Sequence, residues 1–360
     1  MELTPVFISL LIAVSSVLWF SFRNLPKFLN FVSPAGSLLL SSGSPMGVLI
    51  SIINEGLPPR SKFSVDDIPD LSGKVMLVTG GNRGVGFEIV RALLNHNAKV
   101  YMATRSGEAA NKAIAQLKEI TGREAIFIEL DLSSPKSVKA TAENFLSKET
   151  ELHTLFNNAG VMGPPLAQVS VDNYDHSWAT NLMGPYLLTT LLMPALLAGA
   201  KSSVDGKARV VNTASIMHRL GGINFDTFVD GPSRIKFGET ALYCQSKNAT
   251  VVLSQELARR YGKHGIVSTA VNPGNLDTDL LRHLEWIEKA VMRPLMYPAR
   301  FGALTPLYAG TSTASVSFNG KYFIPWAREG TPRPDTQDEV IGKRLWAWLE
   351  EHTQAVLAKQ

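Results

Sequence analysis

Short apolar runs recur between residues 74 and 274, and stretches of helical periodicity separate them. The runs at 74–79, 98–104, 125–132, 152–160, 208–215 and 266–274 read as six strands. Residues 87–94 read as an amphipathic helix directly after the first strand. Strand and helix alternating at this pitch predict an α/β fold: one Rossmann-type, doubly wound parallel sheet with helices on both faces. Ligands of such sheets sit beyond the carboxyl ends of the strands. Gly80, Arg105, Asp131, Asn157, Ser215 and Pro273 all fall at those ends.

The first part of the chain has a different pattern. Residues 3–22 carry no charge and are mostly Leu, Ile, Val and Phe. A bilayer-crossing helix needs about 20 such residues. A cleaved signal peptide is the rival, but Glu2 stands where a basic residue is expected and no clean small-x-small site ends the run. Arg23 and Lys27 follow, which places the rest of the chain on the cytosolic side. The predicted organisation is therefore a transmembrane anchor at 1–26, an apolar and linker segment at 27–66, a catalytic domain at 67–330 and a helical tail at 331–360. Within 27–66, Pro34, Gly36, Gly43, Pro45 and Gly47 argue against a second straight span. The segment is open to three readings: interfacial, a skirt at the active-site entrance, or an arm packed on the domain.

Composition narrows the chemistry. The chain has 360 residues, enough for one large domain with appendages. One cysteine, Cys244, excludes an intrachain disulfide. The seven histidines are scattered without metal-ligand spacing, so no metal is expected. A net charge of +4 without a basic, aromatic-laced run argues against nucleic acid.

Gly80, Asn82, Arg83, Gly84, Val85 and Gly86 form a glycine-rich turn between the first strand and its helix. In that context the glycines admit a tight turn and close approach of backbone to a pyrophosphate, which the helix N-terminus then faces. The second strand ends in Thr104 and Arg105, where an NAD site would place Asp or Glu. An arginine there, with Arg83 in the turn, favours a 2′-phosphate and hence NADP(H). The alternative is a solvated loop arginine. Tyr243 and Lys247 stand four residues apart in a helical run, so phenol and ammonium share one face. An ammonium beside a phenol favours the phenolate, making the pair an acid/base device.

Taken together, Gly80, Gly84, Gly86, Asp131, the run Asn157, Asn158, Ala159 and Gly160, then Asn181, Ser215, Tyr243, Lys247, Pro273, Gly274 and Thr278 resemble the short-chain dehydrogenase/reductase family in order and spacing. Within it the chain is similar to retinol-dehydrogenase-like and fungal members. The resemblance covers roughly residues 70 to 315, and it implies roles. Tyr243 exchanges a proton with the substrate oxygen. Ser215 hydrogen-bonds that oxygen, Lys247 tunes Tyr243 and holds the nicotinamide ribose, and Asn181 helps hold a relay water. Asp131 contacts the adenine, Asn157 lines the cofactor channel and Thr278 binds the carboxamide, with Leu132, Asn158, Ala159, Gly160, Pro273 and Gly274 as further cofactor-binding positions. The implied activity is interconversion of an apolar ketone or aldehyde with its alcohol, in lipid, steroid, retinoid-like or secondary metabolism. The implied setting is the endoplasmic reticulum membrane, and a homodimer is compatible with the family. A non-catalytic NADP-binding module and an NAD-linked alcohol dehydrogenase are the alternatives.

Residues 282–297 occupy the position of the family's substrate lid, and their Leu, Trp, Ile, Met and Tyr content suits an apolar substrate. Cys244 follows the tyrosine but is rotated about 100° from it on a helix, which turns it away from the reacting carbon. Asn248, Ala249 and Thr250 match a glycosylation sequon on a packed helix, where a glycan has no room. His218, three residues after Ser215, is read as a loop histidine, with a pocket-facing side chain as the alternative.

Overall fold

The computed structural model describes residue 51, residues 53–277 and residues 296–358. The predicted anchor at 1–26, Thr278 and most of the predicted lid lie outside the described residues. Among the described residues no single helix is long and apolar enough to cross a membrane.

The sheet has eight strands in the order β3-β2-β1-β4-β5-β6-β7-β8. In chain order they are β1 Val75–Thr79, β2 Lys99–Thr104, β3 Ile126–Glu129, β4 Thr154–Asn157, β5 Ala208–Thr213, β6 Ile266–Val271, β7 Tyr322–Ile324 and β8 Arg328–Gly330. All pairings from β3 across to β7 are parallel, as the alternation predicts. Strand β8 pairs antiparallel with β7, which corrects the expectation of a purely parallel sheet. The reason is local: β7 has three residues and meets Pro325, which cannot extend a ladder, so the chain folds straight back.

The helices are α1 Gly84–Asn95, α2 Gly107–Thr121, α3 Pro135–Leu146, α4 Gly184–Leu191, α5 Met193–Ser202, α6 Pro232–Phe237, α7 Glu239–Tyr261, α8 Leu304–Thr311 and α9 Glu339–Ala358, with shorter turns between them. Their ends follow the sequence. Ser106 and Ser134 cap α2 and α3 by accepting from Ala109 N and Ser137 N. Gly122 ends α2 in the left-handed region at φ 70°.

Strand β1 buries every position, because helices cover both faces of the sheet. One core holds Ile89, Val90 and Leu93 of α1 against Met76, Val78 and Met102. The other holds Trp178, Leu187 and Leu196 together with Leu345, Trp346 and Leu349 of α9. The C-terminal segment, expected as a tail, is thus a packed helix of the main core. Its Trp346 lies edge-on to Tyr186 at 5.0 Å, and Trp348 meets Phe228 at 4.8 Å. The expected linker is also partly interior: Glu55 and Phe63 are buried.

Chain order reverses between β1 and β4, and a crevice opens there at the strand carboxyl ends.

Candidate active site

At the crevice, Thr79 ends β1 and its hydroxyl accepts from Asn158 N and Ala159 N, both at 2.9 Å. Asn158 Nδ2 returns a bond to Thr79 O at 2.9 Å. The glycine turn and the Asn158–Ala159–Gly160 loop are thereby locked together. Gly80 sits at φ 68°, and a Cβ on it would lie 3.1 Å from the Ala159 Cβ. A Cβ on Gly86 would strike the Gly80 carbonyl oxygen and come within 2.7 Å of Asn158 Nδ2. Both positions therefore require glycine. Gly84 opens α1 at φ 55°, and its N-cap residue, Arg83, makes no side-chain cap bond. The first-turn N–H groups of a twelve-residue helix face the crevice without a capping side chain, which suits a pyrophosphate. Val85 packs towards Gly302.

Thr104 Oγ1 donates to Asn82 Oδ1 at 3.1 Å, holding the end of β2 against the glycine turn. Arg83 and Arg105, both exposed, consequently flank one edge of the crevice. Asp131 is half-buried and accepts from Ser133 N and Oγ at 2.9 and 2.7 Å. Leu132 is buried, its carbonyl so close beneath Gly184 that a Cβ there would collide. Asn157 does not open on the crevice as the resemblance implied. It is buried and donates to Thr189 Oγ1 and Asn212 Oδ1 at 3.1 and 3.0 Å, tying β4 to α4 and β5. Beyond β6, Gly274 takes φ 91° against the Trp326 ring, and its N–H donates to Asn272 Oδ1 at 3.0 Å. Pro273 is half-buried beside it.

The proton-handling group forms from three elements. Ser215 follows β5, and Tyr243 and Lys247 lie on α7. The Ser215 hydroxyl stands close enough to the Tyr243 phenol to act on its ionisation. Lys247 Nζ donates to Thr213 O at 2.8 Å and lies 6.0 Å from the centroid of the Tyr243 ring. Asn181 lies in a π-helical turn, Ala179–Met183, of the kind found at functional sites. Its amide grips the backbone of Val161, accepting from N at 2.8 Å and donating to O at 3.0 Å, and it also donates to Ser246 Oγ at 3.0 Å. A Cβ on Gly160 would sit 3.0 Å from Asn181 Oδ1 and 3.5 Å from Lys247 Nζ, so these three converge.

One electrostatic expectation is corrected. Burial pushes the Tyr243 phenol above its usual range, and the neighbouring Ser215 hydroxyl opposes it only in part. Burial also pushes the Lys247 ammonium down to about 8. Desolvation outweighs the attraction between ammonium and phenolate, because the lysine has no carboxylate partner and its proton is spent on the Thr213 carbonyl. The phenol therefore holds its proton at neutral pH. Cys244 is inert: it is buried under Gly221 and its thiol is pushed up to about 12 by burial. Asn248 is buried and donates to His218 O at 3.2 Å, leaving no space for a glycan.

Sequence reasoning missed several residues around this group. His218 is fully buried rather than a loop residue, with Nδ1 2.7 Å from Ser215 O. Its Nε2 accepts from Arg333 N at 3.2 Å, so Nδ1 carries the proton and donates to Ser215 O. Arg234 is buried, bonded to Asp175, to Asp230 and to the carbonyl of Leu166, and so fixes the loop that follows Gly160. No local pattern marks either residue.

A glycine-bound helix N-terminus at the switch point, with Ser215 and the buried Tyr243 and Lys247 beside it, defines a Rossmann-type nicotinamide oxidoreductase. A family model described as short chain dehydrogenase matches residues 74–228. A short-chain dehydrogenase/reductase of Armillaria gallica is 50% identical over 305 residues, covering 85% of this chain and 98% of that protein. Retinol dehydrogenase 12 of Homo sapiens is 35% identical over 282 residues, covering 77% and 85%. Among solved structures, the Pseudomonas aeruginosa RhlG/NADP active-site complex is 26% identical with a TM-score of 0.56, covering 71% of this chain and 95% of that one. The chain belongs to the short-chain dehydrogenase/reductase family.

Proposed function

We propose that the protein is an NADP(H)-dependent reductase of apolar ketones or aldehydes, held to a membrane by residues 1–26 with its catalytic domain, 67–330, in the cytosol. The observation that carries the reading is the half-buried Ser215 hydroxyl beside the buried Tyr243 phenol, with Lys247 one turn on along the same helix at the crevice.

When bound, NADPH supplies a hydride to the carbonyl carbon. Gly80, Gly84 and Gly86 with the α1 N-terminus would hold its pyrophosphate, Asp131 and Leu132 its adenine side, and Asn158 to Gly160 its middle. Lys247 would hold the nicotinamide ribose, and Pro273, Gly274 and Thr278 the carboxamide end. Arg83 and Arg105, exposed in the glycine turn and at the end of β2, would meet a 2′-phosphate, and no carboxylate at the end of β2 would repel it. The RhlG complex contains NADP, which agrees with this preference.

The protein's own part is to manage the oxygen. Ser215 Oγ–H steadies the negative charge that develops on it. Tyr243, which burial keeps protonated, then donates its proton there. The same phenol would take the proton back in oxidation, so the direction follows the cofactor, and a cellular NADPH pool kept reduced favours reduction. Tyr297 and Trp326, with ring centroids 5.1 Å apart, stand beside Gly274 and give that end of the crevice an apolar wall.

Fluorescence titration with NADPH and NADH, followed by turnover of a panel of apolar aldehydes and ketones including decanal, tests the reading. NADPH should bind about tenfold more tightly, a single Arg–phosphate contact's worth. Tyr243→Phe should keep that binding and lose turnover by about a hundredfold or more. Tighter NADH binding would overturn the cofactor assignment, and surviving Tyr243→Phe turnover the acid/base assignment. Deleting residues 1–26 should release the protein from the membrane fraction, and retention there would sink the anchor.

A further inference from the structure

The N-terminal arm delivers a carboxylate to the residues that follow Ser215 and precede Gly274. Residues 53–56 form a helical turn, closed by Leu57 N donating to Ile53 O at 2.9 Å. Arg328 of β8 pins it from outside, donating to Asn54 Oδ1 at 2.9 Å and Asn54 O at 2.8 Å. Glu55, 1% exposed, points inward. Its Oε1 accepts from Arg219 Nε at 2.8 Å and Arg219 NH2 at 2.7 Å. Its Oε2 accepts from Asn272 Nδ2 at 2.8 Å and Tyr322 OH at 3.0 Å.

Each of these partners leads to the site. Asn272 Oδ1 holds the N–H of Gly274, in the turn assigned to the cofactor. Tyr322 OH lies 3.5 Å from His218 Nδ1, and that ring donates to the Ser215 carbonyl. Arg219 follows His218 on the turn that Ser215 begins, and also donates to Thr331 O at 2.6 Å. One buried carboxylate thus joins the serine turn, the Pro273–Gly274 turn and strand β7. All of its partners are donors, so a group accepting at both oxygens is required; an amide accepts at one only.

We propose that Glu55 is a positioning residue for the reductase site, setting the Ser215 turn against the Pro273–Gly274 turn, and that the N-terminal arm is therefore part of the catalytic apparatus as well as a tether. The proposal rests on the site reading above. Its cofactor half concerns binding alone.

The test uses the full chain with Glu55→Gln and Tyr322→Phe, and Tyr243→Phe as control. NADPH affinity and stoichiometry are read by fluorescence, and kcat and both KM values with decanal. Glu55→Gln should weaken NADPH binding about fivefold and lower kcat about tenfold, the scale of a small misplacement remote from the reacting atoms. The cofactor KM should rise with it, while binding stays at one NADPH per chain. A merely structural defect instead reduces the active fraction: kcat and stoichiometry fall together, and both KM values and the dissociation constant stay put. That outcome, or wild-type constants throughout, overturns the proposal. If Glu55→Gln does not fold, Tyr322→Phe decides: it removes one oxygen, and should lower kcat in the same direction by a smaller factor at full stoichiometry. Unchanged kcat there refutes the link to Ser215. Should Tyr243→Phe keep its turnover, the acid/base reading fails, while the NADPH constants of Glu55→Gln still report on the arm.

Discussion

Lys247 shows what burial does to a single group at this site. It is 5% exposed, faces no carboxylate, and its proton dissociates near 8 instead of the ordinary 10.5. That shift is roughly 3 kcal/mol of penalty on the ammonium. A role that needs the charge is therefore lost as pH rises through about 8, so kcat/KM for reduction should fall on that limb. Lys247→Arg keeps the charge to far higher pH. Its kcat/KM should be lower at neutrality, but its alkaline limb should move upward by more than one pH unit. A pH–rate profile of both proteins checks this, and coincident limbs would show that another group titrates there.

At the scale of elements, the glycine turn and α1 are the clearest case. Gly86 lies so close over the Gly80 carbonyl that an added methyl cannot fit without moving β1 or α1. Gly86→Ala should cost about 1–3 kcal/mol of stability, as overpacked sites do. NADPH affinity should drop by more than about tenfold, because the N–H groups that meet the phosphates move with the turn. Calorimetry and titration of the same sample separate the two effects. This element was legible in the sequence, since an apolar strand, spaced glycines and an amphipathic helix are contiguous. Six strands and the Tyr243–Lys247 face were legible for the same reason. Strands β7 and β8 were not, because three residues each give no period to read. Asn157 was placed on the wrong side because a strand's last residue alternates between interior and crevice, and its partners Thr189 and Asn212 are distant in sequence. The Glu55 contacts join residues 164 to 267 positions apart, which no local pattern encodes.

For the whole molecule, the buried polar core predicts how stability follows pH. His218 is enclosed, bonded through both ring nitrogens, and pushed down to about 3 by burial. Its folded form binds a proton far less readily than the unfolded chain, where histidine titrates near 6.5. Between those values the unfolded state carries the extra proton, so stability falls as pH falls through this window. From about pH 7 to about pH 5 the loss from this one group is about 2 kcal/mol. His153 and His352 are shifted the same way by burial and add to it. Asp175 and Asp335 oppose it, since burial raises their carboxyls and favours the protonated folded form as acid is added. Those terms are common to wild type and a His218 variant, which isolates the histidine. His218→Gln should be less stable at about pH 7, having lost a ring that bridges Ser215 and Arg333. Its further loss on acidification to about pH 5 should be smaller than wild type's by about 2 kcal/mol. Urea unfolding of both proteins at the two pH values measures this difference. Equal losses would mean that the ring takes up its proton as readily in the folded state as in the unfolded chain, and a neutral ring locked between Ser215 O and Arg333 N would then no longer describe the folded protein.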